Sequence, residues 1–225
     1  MPYPRPSEQP TPSSGPRRRP WSRSRTEPPL DPQSWSGALV MMAAFTAVFW
    51  VVQFVNAGDD YRLDRFGLRP REVSGLWGVL TMPFLHESYG HLLSNTLPLF
   101  GIGWVVLLSG LRVWATVTAA VIVGGGVLTW LVAPSGLIVG ASALVFGWLG
   151  YLLARALFSR KIKWILGAAM VLTFFGSLLW GIFPTGDSGV SWPSHACGFA
   201  AGVGVGWLLH PRRGATRRPR RSAVS

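Results

Sequence analysis

The stretch RVWATVTAAVIVGGGVLTWLVAPSGLIVGASALVFGWLGYLLAR, residues 112–155, opens and closes on arginine and holds no charge in between. Crossing a bilayer core takes about 20 apolar residues, so this run is too long for one span. It is interrupted once, at Pro134-Ser135-Gly136, a cluster of strong turn formers. The stretch therefore reads as two membrane helices, 113–133 and 141–158, with a tight connection between them.

The same pattern continues outward. Uncharged windows at 32–58, 88–111, 164–186 and 188–211 predict further helices at 37–57, 89–109, 163–183 and 193–210, six in all. The first is too long for a signal-peptide core and is expected to stay in place. Composition agrees with a polytopic all-α membrane protein. The 225 residues are 49% hydrophobic with a mean hydropathy of +0.32, yet carry a net charge of +12 with only 13% charged residues, about half the usual share. The charge must be segregated. Cys197 is the sole cysteine, which excludes a disulfide framework.

Sorting the basic residues by side of the six-helix arrangement shows where the charge goes. Seventeen of 21 Lys and Arg fall on one side, in residues 1–35, at Arg112, at Arg155, Arg160, Lys161 and Lys163, and in residues 211–225. Four, Arg62, Arg65, Arg69 and Arg71, fall on the other, with six acids. By the positive-inside rule both termini are expected in the cytoplasm. Residues 1–35, rich in Pro, Ser and Arg, read as a disordered basic arm, residues 36–210 as the membrane domain, and 211–225 as a basic tail. Residues 58–88 form a long external loop whose apolar segment 75–84 is expected to lie in the membrane interface. Basic ends can also signal nucleic-acid binding; orientation signals and anionic-lipid contacts are the commoner role, and no nucleic-acid partner is expected. The preference for Arg over Lys points to a GC-rich genome and hence a bacterial plasma membrane.

Polar side chains in hydrocarbon are costly, and each is a candidate for function. His91 and Asn95 in the second helix are four residues apart and share a face; they serve either as hydrogen-bonding glue to a neighbouring helix or as part of a site. Ser142 opens the fourth helix within Gly140-Ala141-Ser142-Ala143. There it serves either as a cap or as a nucleophile aided by the free amides and positive dipole end of the helix. In the sixth helix His195, Gly198, Gly202 and Gly206 lie on one stripe suited to close helix packing, where a histidine can reach a hydroxyl as general base. Together these residues supply a nucleophile, a base and oxyanion donors. No Asp or Glu falls within a span, so the chemistry reads as a Ser-His dyad in place of a triad, with Asp187 not expected to orient the imidazole. An aspartyl mechanism is excluded, since it needs two carboxylates sharing a site. His86-Glu87-Ser88-Tyr89-Gly90-His91 spaces its histidines by five, a helical rotation of about 140° that splays them apart, so no zinc site and no other cofactor are expected.

These motifs resemble the rhomboid family of intramembrane serine proteases over helices 2 to 6. Gly90-His91-Leu92-Leu93-Ser94-Asn95 is similar to the family's H-x-x-x-N motif, Gly140-Ala141-Ser142-Ala143 to G-x-S-G, and His195-Ala196-Cys197-Gly198-Phe199-Ala200-Ala201-Gly202 to H-x-x-G-x-x-x-G. The resemblance implies a six-helix rhomboid-like bundle with Ser142 as nucleophile and His195 as base and later acid. It implies an oxyanion hole of His91, Asn95 and the Ser142 amide, and supporting parts for Gly140, Phe146, Gly198 and Gly202. Phe146 stands where relatives carry an aromatic ring against the catalytic histidine, and His86 is expected at the mouth of the site with no assigned role. Ala143 replaces the second glycine of G-x-S-G, and the Trp-Arg pair often seen in the first loop is represented at most by Trp77. The implied activity is cleavage of transmembrane helices of other proteins, from a cavity opening externally and lined by His91, Asn95, Ser142 and His195. Helices with Gly, Ala or Pro near the cut are favoured, because the backbone must unwind. The rival reading is an inactive relative that binds or escorts membrane helices. A transporter is unsupported, for want of membrane acids and paired interrupted helices.

Overall fold

The computed structural model describes residues 1, 34–184 and 191–210. The expectations for the basic arm, the basic tail and Asp187 otherwise lie outside the described residues. Among the described residues six long helical segments occur: α1 Trp35–Gly58, α2 Tyr89–Leu107, α3 Leu111–Val132, α4 Ser142–Ser159, α5 Ile162–Phe175 running on as a tighter 3₁₀ segment Gly176–Ile182, and α6 Trp192–Leu208. Their ends lie within two residues of the uncharged-window expectations. The arm expected to reach residue 35 gives way to helix one residue early, since Ser34 caps α1 by accepting the Gly37 N–H at 3.0 Å.

Five of these segments are long and apolar enough to cross a membrane. The sixth, α6, has 17 residues and is about 26 Å long at the α-helical rise. No strand forms among the described residues; a single antiparallel bridge joins Leu68 to Ile138.

α4 lies at the centre. Leu144, Trp148, Leu149, Tyr151 and Leu152 are fully buried against Met42 and Phe49 of α1, Leu92, Leu99 and Ile102 of α2, and Val117 of α3. The Trp148 indole N–H donates to Thr118 Oγ1 at 3.1 Å, which satisfies a polar atom inside the bundle. Lipid tails are as apolar as leucine, so burial alone does not drive membrane helices together, and close backbone packing decides. The α4–α6 contact shows it: a Cβ on Gly198 would strike Ala143 O, and one on Gly202 would strike Gly147 O. In α3 the helix widens to a π turn at Val121–Gly125, which brings Gly125 against Gly198, with a built Cβ 3.1 Å from its Cα.

Residues 58–88 fold into short helical turns at Arg62–Phe66, Val73–Gly75, Gly78–Thr81 and Met82–Phe84. This loop is clamped to the segment before α4. Leu68 and Ile138 exchange N–H···O bonds of 2.9 Å, the Gly140 N–H donates to Met82 O at 2.9 Å, and Arg71 Nη1 donates to Ala133 O at 2.6 Å. Val79 and Met82 bury their side chains with Leu68, Ala133, Ile138 and Ala143. The loop thus holds the chain that delivers Ser142.

Candidate active site

Ser142 is the first residue of α4; the preceding Ala141 takes the cap position and makes no side-chain cap bond. The Ser142 hydroxyl does not cap the helix. Its Oγ lies 2.8 Å from His195 Nε2 on α6. The other ring nitrogen, Nδ1, lies 2.9 Å from the carbonyl oxygen of Gly181. A carbonyl only accepts, so Nδ1 must carry the proton; in the neutral ring Nε2 then has a free lone pair, which accepts the Ser142 O–H. The tautomer needed for a general base is set by a backbone carbonyl from the 3₁₀ segment after α5. Phe146, one turn into α4, stacks on the same imidazole with centroids 4.3 Å apart and planes 16° from parallel. His195 is buried and held on one face by Phe146 and at both nitrogens.

The glycine before the site has a conformational reason. Gly140 sits at φ +127°, and a Cβ there would come 2.8 Å from His91 Cε1 and 2.9 Å from His91 Nε2. Only glycine fits both restraints. The turn brings His91 beside the start of α4. Asn95, one turn along α2, donates from Nδ2 to His91 O at 2.9 Å, a bond within its own helix, which leaves the second amide hydrogen free. The N–H groups of Gly140 and Ala141 donate to Met82 O and His86 Nε2. That of Ser142, the next along, meets no acceptor among the described residues. Its α-helix dipole and free amide favour an anion.

Two cavities, each about 310 Å³, meet at the dyad. One is bounded by Glu87, Ser88, Val139, Ser142, Ser191 and His195, at the end of the bundle where α2, α4 and α6 begin. The other runs deeper between α2 and the segment after α5, lined by Ser94, Asn95, Pro98, Val145, Phe146 and Leu178. His91, Ser142 and His195 line both. Gly198 and Gly202 lie beneath, at the α4–α6 contact.

His86 is not at the mouth of the site. It is fully buried, and the helical rotation that separates it from His91 on paper does not apply, because α2 begins only at Tyr89 after an extended Ser88. The two rings are in edge contact at 5.1 Å. The Gly181 carbonyl was invisible in the sequence, since a backbone acceptor leaves no mark on residue type.

A model of the rhomboid domain matches residues 73–212. An uncharacterized protein of Mycobacterium tuberculosis is 37% identical over 200 residues, 85% of this chain and 83% of its own length. A second, from Mycobacterium leprae, is 36% identical over 191 residues, 81% of this chain and 76% of its own. RHOMBOID-like protein 4 of Arabidopsis thaliana is 32% identical over 151 residues, 59% of this chain and 34% of its own. The chain belongs to the rhomboid family. With its apolar helices, it is a multi-pass, intramembrane member of that family.

Proposed function

We propose that this protein is a serine endopeptidase that cuts transmembrane segments of other membrane proteins within the bilayer. The observation that carries the reading is the Ser142 Oγ to His195 Nε2 hydrogen bond of 2.8 Å, with Nδ1 committed to Gly181 O. In the proposed sequence Nε2 takes the hydroxyl proton as Ser142 attacks the scissile carbonyl, and the imidazolium shares its charge with the Gly181 carbonyl. The Ser142 amide, with His91 and Asn95, stabilises the oxyanion; His195 then protonates the leaving amine, and water hydrolyses the acyl-enzyme. The deeper cavity opens a path for a substrate helix, the shallower one for water.

Six crossings with both ends in the cytoplasm are the topology that the segregated charge supports. They put the dyad toward the external face of a bacterial plasma membrane, with the bilayer and single-span proteins as partners. An inactive relative was suggested by Ala143. Its methyl packs with Leu68, Val79, Met82, Ala133 and Ile138 and borders neither cavity, so it does not crowd the hydroxyl.

The test is co-expression with a single-span reporter together with labelling by a fluorophosphonate probe. Ser142→Ala and His195→Ala are each expected to lower cleavage by about 10³-fold or more, as for members of a catalytic unit, and to abolish labelling. Cleavage at the wild-type rate by either variant sinks the proposal.

A further inference from the structure

His86 touches neither cavity, yet it is fully buried one peptide away from the proposed nucleophile. Its Nε2 lies 3.2 Å from the backbone nitrogen of Ala141. An N–H can only donate, so Nε2 is the acceptor, and the ring is neutral with its proton on Nδ1. Burial, with the His91 ring beside it, pushes the His86 imidazole down to about 3, so the acceptor persists at any working pH. Phe49 of α1 meets the ring at 6.3 Å and His91 meets it edge-on at 5.1 Å, so its orientation is fixed by packing.

The amide it holds is the one that matters for geometry. Gly140, Ala141 and Ser142 are consecutive, and the chain turns through φ +127° at Gly140 before entering α4. Met82 O takes the Gly140 N–H at 2.9 Å, and His86 takes the Ala141 N–H. Two successive amides are thus committed to acceptors in the loop, and the third, that of Ser142, is left without an acceptor among the described residues. Were the Ala141 N–H unheld, the turn could rotate and the Ser142 amide and hydroxyl would move together, because both are carried by the residue that follows.

We propose that His86 is a positioning residue for acyl transfer: by accepting the Ala141 N–H it holds the turn before α4 so that the Ser142 amide points to the oxyanion and Oγ to His195. The inference rests on the protease reading above. His86 never contacts substrate; it acts through the Ala141 peptide.

The test uses full-length protein reconstituted in bilayers, comparing wild type with His86→Gln and His86→Leu. Glutamine Oε1 can occupy the place of Nε2; leucine fills the space without an acceptor. His86→Leu is expected to lower kcat by about 10- to 100-fold, the scale of a misplaced reacting group, with KM for the membrane substrate within about two-fold, since the substrate surface is untouched. His86→Gln is expected to recover to within about five-fold of wild type. Wild-type turnover by His86→Leu overturns the proposal, and so does equal impairment of both variants when both are folded. If His86→Leu does not fold, ¹⁵N spectra of labelled histidines in the wild-type protein decide: the His86 signals, assigned by difference against His86→Gln, must show a bare Nε2 and a protonated Nδ1. A proton on Nε2 overturns the proposal without reference to activity. A wild-type protein that never labels at Ser142 instead defeats the protease reading, and with it any catalytic meaning of the clamp, while the tautomer result stands.

Discussion

In α4, 61% of the apolar stretch is buried inside the protein; in Ile162–Ile182, α5 with its 3₁₀ extension, the share is 11%. Both regions nevertheless reach His195, α4 through Ser142 and Phe146, the other through Gly181 O. They do so by different means. The α4–α6 wall is fixed by backbone against backbone at Gly198 and Gly202, a contact that leaves no slack. The α5 wall is largely unburied within the protein, touches α2 through Phe175 at Gly101, and contributes one carbonyl. Where lipid solvates apolar side chains as well as protein does, thin packing costs little. The lesson is that stability should depend on the first wall, while the imidazole's proton position depends on the second.

The largest effect is expected from Gly202→Leu. The side chain would drive into the Gly147 backbone, and the loss should be about 3 kcal/mol or more, seen as a collapse of the denaturation midpoint in micelles. A wild-type midpoint would break the comparison at its tighter side. Gly181→Ala should do the reverse. Its Cβ would lie 3.0 Å from Phe146 Cζ and 3.2 Å from His195 Nδ1, displacing the ring from its acceptor. Labelling of Ser142 should slow by about 10-fold, equivalent to about 1.4 kcal/mol, with little change in midpoint. Equal losses in rate and stability would show that the two walls are not separable. The smallest effect belongs to Leu166→Ala on the exposed face of α5 (61% exposed): a change within about 0.5 kcal/mol and unaltered labelling are expected. A larger destabilisation would mean that this face is covered by another protein.

Much of this was legible without coordinates. Charge-free windows place helices because charged residues are too costly in hydrocarbon to appear there by accident, and the helix ends followed them closely. His91, Asn95, Ser142 and His195 stood out because polar residues inside spans are few. Their convergence on one site was implied by the motif resemblance and not by residue type alone. His86 illustrates the limit: treated as helical it pointed away from His91, whereas an extended Ser88 lets both rings back the same turn. Within the loop 58–88 only segment 75–84 read as apolar and interfacial, and nothing in the loop announced that Leu68 would pair with Ile138 or Arg71 reach Ala133. Such bonds use backbone groups that every residue carries.

By itself, then, the sequence determined the helix boundaries, the segregation of charge away from the apolar runs and the side chains able to do chemistry, because each depends on the transfer cost of a local residue. Tertiary structure decided which atoms meet. It committed the Ser142 hydroxyl to His195 instead of a helix cap, placed the Gly181 carbonyl against the imidazole, and buried His86 behind the turn that precedes Ser142. Those outcomes depend on how closely helices distant in sequence approach one another, and residue type sets only the limit of that approach.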